Sequence, residues 1–318
     1  MPMTLAEKIL ANKSNKNKVA PGEIVIVPVD CAMMTDILGP RVKIAEEMER
    51  LGEKIKDPSK VVLVADHYTP AATEQQAEIV RYSRNWAKSR GIENFFELEG
   101  PCHQILAEKG FSKPGDILVG TDSHSCTSGA FGCFGTGIGS TEMLGVLIKG
   151  EIWLKVPQSI YIRWDGDLNI GVMAKDIILH TIGKLGHAGA TYKAMEFCGS
   201  TIGKLSMDER MCISNMAVEA GAKVGLIPAD EKTVEYMEKH GVFTADPSLF
   251  FRADEDAIYY QKMIFDASKL EPQIACPHEV DNVKEVKEVE GLEVDQVYIG
   301  SCTGGRISDL NMAASILS

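Results

Sequence analysis

Between Lys60 and Gly120 the chain alternates short apolar runs with longer, polar-studded stretches. Val61 to Ala65 is a continuous, mostly β-branched run, the pattern of a strand buried on both faces. Ala71 to Arg90 favours helix and meets a stop at Gly91. Asn94 to Leu98 reads as a second strand, Gln104 to Lys109 as a short helix, and Asp116 to Val119 as the start of a third strand. Strands spaced by helices imply parallel βαβ units with both sheet faces covered.

Farther along, Gln158 to Trp164 alternates before the turn Asp165-Gly166-Asp167. Ser206 with Glu209 is a capping-box signature for a helix running to about Ala220 and stopping at Gly221. Val294 to Ile299 is another buried-strand candidate. Leu310 to Leu317 is helix-like with no cap or polar tail after it, so the chain reads as cut off there. Changes of composition near Val156 and Pro272 divide the chain into 1–157, 158–272 and 273–318, the last being only the start of a unit. The charged tract Glu279 to Glu290 reads as solvated surface rather than an acidic binding tail.

The chain has 318 residues, 45% of them hydrophobic, enough to bury a substantial core across two or three domains. Its net charge of −12 argues against nucleic acid as a partner, since that grip needs a basic surface. No apolar run approaches the roughly 20 residues of a membrane span. Residues 1–20 lack a secretory pattern, so a cytoplasmic location is expected. An anionic substrate would meet a repulsive overall field, which local arginines or helix N-termini would have to reverse.

The chemistry gathers where the strands end. Asp66-His67, Pro101-Cys102-His103, Thr121-Asp122-Ser123-His124 and Ser301-Cys302-Thr303 each follow a strand or strand candidate. Parallel strands bring such groups to one sheet edge, where open α/β sheets bind ligands. A lone histidine is usually structural, but three of seven at successive strand ends beside two aspartates suit proton transfer. Asp66 and His67 can cooperate only if their strand has already ended. His180, His187, His240 and His278 have no such company. The eight cysteines form no C-x-x-C pair and read as free thiols. Cys302 stands apart because it precedes Gly304-Gly305-Arg306, where a helix start and an arginine favour thiolate. Arg306 follows Cys302 by about one helical turn, from where its fork can hold a carboxylate; surface pairing with Asp309 is the plain alternative. The glycine-rich stretch Gly129 to Gly139 matches no complete phosphate-loop pattern and reads as close backbone packing.

Gly-Thr-Asp-Ser-His-Ser at 120–125, Ala-Asp-His at 65–67, the segment 171–180 and Ile-Gly-Ser-Cys-Thr at 299–303 together resemble the motifs of the aconitase superfamily, most closely the isopropylmalate dehydratase and homoaconitase large subunits. The resemblance spans essentially the whole chain. It implies three-layer α/β domains with mostly parallel sheets around a central cleft. It also implies a hydro-lyase that moves a hydroxyl between neighbouring carbons of a di- or tricarboxylate hydroxy acid by dehydration and rehydration, a step of leucine biosynthesis for isopropylmalate. Citramalate and homocitrate are further candidate substrates.

Cys302 would be one of three thiolates on a 4Fe-4S cluster, the other two lying beyond residue 318. Asp66 with His67, His103 with Asp122, and His124 with Glu196 would be acid–base pairs, and Ser123 would contact substrate. The catalytic base of the family is a serine on a swivelling domain, which in split enzymes is a separate small subunit. Gly304 stands where many relatives carry asparagine, which removes a side-chain donor near the cluster. Two rival readings are a zinc or manganese hydrolase built on the same aspartates and histidines, whose usual short ligand spacings are absent, and a non-catalytic scaffold, which leaves the reactive strand ends unexplained.

Overall fold

The computed structural model of the chain describes residues 2–242 and 246–318, without the side chain of Val42. After β1 (Ile24–Pro28) comes a sheet of β2 (Cys31–Thr35), β3 (Val61–Ala65), β4 (Asn94–Glu97), β5 (Ile117–Gly120) and β6 (Phe134–Gly137). Its order is β4-β3-β2-β5-β6, and every neighbouring pair is parallel. The chain builds outward from β2 through β3 and β4, then crosses back to lay β5 and β6 on the other side. That reversal opens a crevice beyond the carboxyl ends of β2 and β5, where doubly wound sheets bind ligands.

Local sequence explains these elements. The apolar run at 61–65 is buried along its whole length. The following helix spans Glu74–Ser89, starting where the Thr73 side chain accepts the Gln76 amide, and the chain turns away through Gly91 at φ +71°. Ser206 and Glu209 form the expected capping box on a helix at Met207–Asn215, which tightens into a 3-10 turn at Met216–Ala220 and stops at Gly221.

The strand β7 (Glu151–Lys155) returns to pair antiparallel with β1. A second sheet then forms from β8 (Ser159–Asp165), β9 (Ala194–Cys198), β10 (Val224–Leu226) and β11 (Gln261–Asp266), ordered β10-β9-β8-β11 and parallel throughout. The two sheets share a core, since Ala194, Val224 and Leu226 pack in one cluster with Leu63, Val119 and Phe134. Gly129 belongs to this junction: a Cβ there would sit 1.9 Å from the Gly225 carbonyl oxygen. The glycine-rich stretch thus brings two backbones together. A hairpin of β12 (Gln273–Ala275) and β13 (Val283–Glu285) packs on the helix Ala174–Leu185, where the Gln273 amide donates to Asp176 at 2.7 Å.

The fold is α/β with parallel sheets, as the strand spacing implied. Val294 to Ile299 departs from expectation: it forms no strand, and Val294, Val297 and Tyr298 are 70%, 76% and 80% exposed. An apolar β-prone run becomes a strand only when a neighbouring ladder accepts its hydrogen bonds, and none of the described residues supplies one. No helix among the described residues is long and apolar enough to cross a membrane.

Candidate active site

Three strands of the first sheet deliver acids to the crevice. β2 ends at Thr35 and is followed by Asp36, β3 ends at Ala65 and is followed by Asp66 and His67, and β5 leads to Thr121 and Asp122. Because β3 has ended, Asp66 and His67 turn toward each other, with His67 Nδ1 2.8 Å from Asp66 Oδ1. The second Asp66 oxygen accepts the Cys102 amide at 2.6 Å, which ties the start of the helix Cys102–Glu108 to the same edge. That helix presents His103, whose Nε2 lies 3.0 Å from Asp122 Oδ1.

Asp122 is the hub. It caps the 3-10 turn Ser123–Phe131, its Oδ1 accepting the His124 amide at 2.8 Å, while its Oδ2 stands 3.6 Å from His67 Nε2. His124 then reaches outward, its Nε2 3.1 Å from Glu219 Oε1 and its Nδ1 3.2 Å from the Ser123 hydroxyl. His67, His103 and His124 therefore surround one carboxylate. Asp36, absent from the sequence-based set, is fully buried and accepts the amides of His67 at 3.2 Å and Tyr68 at 2.8 Å. Its signal in the sequence is an acid that ends the apolar stretch beginning at Cys31.

The electrostatics follow from this crowding. The neighbouring carboxylates of Asp122, Asp36 and Asp66 push the His67 imidazolium up to about 12. Asp122 and then Glu219 raise His124 to about 10. Burial alone would raise Asp122, but the His103 hydrogen bond and the nearby His124 and His67 rings hold it well below the usual carboxylate range. The His124 hydrogen bond likewise lowers Glu219. Two protonated imidazoles thus stand in the crevice at neutral pH, as proton donors or anion holders.

Cys302 and Arg306 lie on one side of this network, lining a pocket of about 330 Å3 with Pro101, Gln104 and Tyr236. Cys302 sits in a single helical turn, Ser301–Gly304, rather than after a strand. The Arg306 side chain is only 9% exposed. Its Nε donates to Gln104 Oε1 at 3.0 Å and stands 3.8 Å from Asp208; Asp309 instead accepts the Arg306 backbone amide. Side-chain pairing with Asp309, the plain alternative, therefore does not occur.

One pairing needs correction. The resemblance placed Glu196 beside His124, but Glu196 sits in β9, 4% exposed, where its carboxylate accepts the amides of Leu5 and Ala6 and the hydroxyls of Ser159 and Tyr259. It anchors the N-terminal helix Leu5–Lys13, and Glu219 occupies the place next to His124. The helix N-terminus offers free amides and a positive dipole end, which is why an acid settles there. Burial raises Glu196 above the ordinary carboxylate value. Glu196→Gln puts an NH2 donor among four donors, so it should cost about 1 to 3 kcal/mol of folding stability in urea titrations. An unchanged midpoint would remove the anchoring role. A sequence signal for Glu219 exists: it lies in the last helical turn before Gly221, where the helix dipole disfavours an acid and a compensating cation is expected.

A family model described as the aconitase family (aconitate hydratase) matches residues 7–318. A probable 3-isopropylmalate dehydratase large subunit from Methanothermobacter thermautotrophicus is 48% identical over 319 residues, covering 100% of this chain and 75% of that protein. The 3-isopropylmalate dehydratase large subunit 1 of Methanopyrus kandleri is 46% identical, again over 100% of this chain and 75% of its own length. A probable methanogen homoaconitase large subunit from Methanosarcina mazei is 49% identical over 297 residues, covering 92% of this chain and 74% of that one. Among solved structures, aconitase X of Thermococcus kodakaraensis in its holo form gives a TM-score of 0.42 at 12% identity, over 76% of this chain and 57% of that one, a likeness too slight to bear on function.

Proposed function

The chain belongs to the aconitase family, and on that premise we propose that it is the large subunit of a cytoplasmic 3-isopropylmalate dehydratase, a hydro-lyase that isomerises a hydroxy-dicarboxylate by removing and re-adding water. The observation that carries this reading is the ring of His67, His103 and His124 around Asp122 at the switch point of the first sheet. Dehydration needs an acid that protonates the departing hydroxyl, and His67 and His124 are held in the protonated form that can do so. Asp36, Asp66, Asp122 and Glu219 orient these rings and keep their charge. Arg306, held by Gln104, offers its remaining guanidinium N–H groups to a substrate carboxylate, and Ser123 adds a hydroxyl beside His124. Family membership displaces the metallohydrolase reading.

The family implies a 4Fe-4S cluster, with Cys302 as one thiolate ligand. Cys102, Cys126 and Cys212 are buried, and in the absence of a metal burial pushes Cys126 to about 12, Cys212 to about 11 and Cys102 well upward. Cys302 is the cysteine of this chain that the resemblance assigns to the cluster. The relatives named as large subunits support a small-subunit partner, which would carry the swivelling domain and the proton-abstracting base.

The homocitrate-converting alternative is favoured by the Methanosarcina mazei relative. One experiment tests both: the full-length chain, reconstituted with iron, sulfide and its small subunit, is assayed on 2-isopropylmalate, citramalate and homocitrate. Turnover of 2-isopropylmalate at a kcat/KM at least about tenfold above homocitrate is expected. The reverse preference would make it a homoaconitase, and turnover of none would overturn the reading.

A further inference from the structure

We propose that a second pocket, of about 370 Å3 and lined by Lys223, Ser123, Thr121, Leu38, Ile138 and Val218, seats a carboxylate carried on a short apolar skeleton, gripped by the Lys223 ammonium. This deepens the dehydratase reading and rests on it: the carboxylate would be the second one of the hydroxy-dicarboxylate.

Position is the first support. Ser123 and Val218 each neighbour one member of the His124–Glu219 pair, so the pocket opens directly beside the acid–base network. The Ser123 hydroxyl lies 3.2 Å from His124 Nδ1, which places a ligand touching that hydroxyl one residue from the imidazole. The back wall is formed by the ends of β5 and β6. Gly137 closes it tightly, since a Cβ there would lie 2.9 Å from the Asp122 carbonyl oxygen.

The state of the lysine is the second. Lys223 is half-buried, and its ammonium donates to the Gly137 carbonyl at 3.3 Å. No carboxylate among the described residues comes within the 4.0 Å ion-pair distance of it. Glu142 lines the same pocket and its charge favours the ammonium, but it forms no ion pair with Lys223 and is engaged with the Gly139 amide at 3.0 Å. Lys155 approaches the same Tyr192 ring as Lys223, at 5.6 and 5.7 Å, so the neighbourhood carries a second cation. Burial accordingly depresses Lys223 below the usual lysine range. A partly desolvated ammonium that forms no ion pair gains from an incoming anion.

The third support is the balance of the site as a whole. Asp36, Asp66, Asp122 and Glu219 fill the crevice in a protein of net charge −12, and a dianion entering it needs a cation at each end. Arg306 stands on the Cys302 side and Lys223 lines the other pocket. Leu38, Ile138 and Val218 give this pocket an apolar wall for the ligand's hydrocarbon part.

Two arms test the assignment. In the reconstituted full-length enzyme, Lys223→Met should raise KM for 2-isopropylmalate about 30-fold, well beyond its effect on kcat, and Lys223→Arg should recover most of the loss. An unchanged KM in Lys223→Met overturns the proposal. In the second arm, acetylation of Lys223 by acetic anhydride is followed by mass spectrometry on the wild-type protein. Excess 2-isopropylmalate should slow it at least about fivefold, while 3-methylbutan-1-ol, which has the apolar skeleton and no carboxylate, should not. Absence of protection overturns the proposal even if Lys223→Met fails to fold. An enzyme inactive on every hydroxy acid would sink the dehydratase reading alone; protection of Lys223 by malonate would still support the pocket, and its absence would remove that too.

Discussion

Asp122→Asn in the reconstituted full-length enzyme is expected to lower kcat by about three orders of magnitude, on the order of 4 kcal/mol, with KM changed much less. The reason is that one carboxylate serves three rings: it stands 3.0 Å from His103 Nε2, 3.6 Å from His67 Nε2 and 3.6 Å from His124 Nδ1. The amide of asparagine keeps the shape but brings no charge and turns one acceptor into a donor that faces an imidazole N–H. His67 and His124 would lose the anion that contributes most to keeping each protonated. Kinetics at matched iron content decide the matter, and a kcat within about tenfold of wild type would show that the ring does not work as a unit.

Glu219→Gln should lower kcat by about 100-fold, the second largest effect expected of a single substitution here, whereas Glu196→Gln should lower stability and leave turnover per folded molecule near wild type. Glu219 contacts His124 at 3.1 Å and Glu196 does not take part in that network. The pH dependence supplies an independent check. His124 is raised to about 10 in the fold against an ordinary value near 6.5, so its stabilisation is fully present below about pH 6.5 and is lost as pH rises through about 10. Glu219→Gln should therefore flatten the fall of urea-unfolding stability between about pH 7 and 10. A variant with the wild-type slope and wild-type kcat would return Glu219 to an ordinary surface acid and reopen the assignment of His124's partner.

Much of this site was legible because strands and reactive residues are adjacent in sequence. The run Val61 to Ala65 announces its own burial, and a parallel sheet necessarily sends Asp66, His67 and Asp122 to one edge. Asp36 escaped because β2, CAMMT, carries little of the β-branched character that marks β3, so its end was not recognised as a strand end. Glu219 escaped because nothing local distinguishes it from any acid near a helix terminus, apart from its unfavourable place in the dipole. Glu196 carries a site role only through the family resemblance, and the packing of the N-terminal helix on β9 reveals its use.

By itself the sequence determined the α/β class, the three-histidine set and the family, because periodicity, strand-end chemistry and motif order are properties of short segments. The tertiary structure alone decided which acid faces which histidine, that Arg306 leans on Gln104, and that Lys223, four residues beyond Glu219, shares a pocket with Ser123. Val294 to Ile299 shows the same division from the other side: its pattern is that of a strand, yet it stays exposed and unpaired. The physical reason is range: propensity and capping act within a few residues, whereas ion pairs, pockets and sheet ladders join positions as far apart as His124 and Glu219, and are settled only when the core closes.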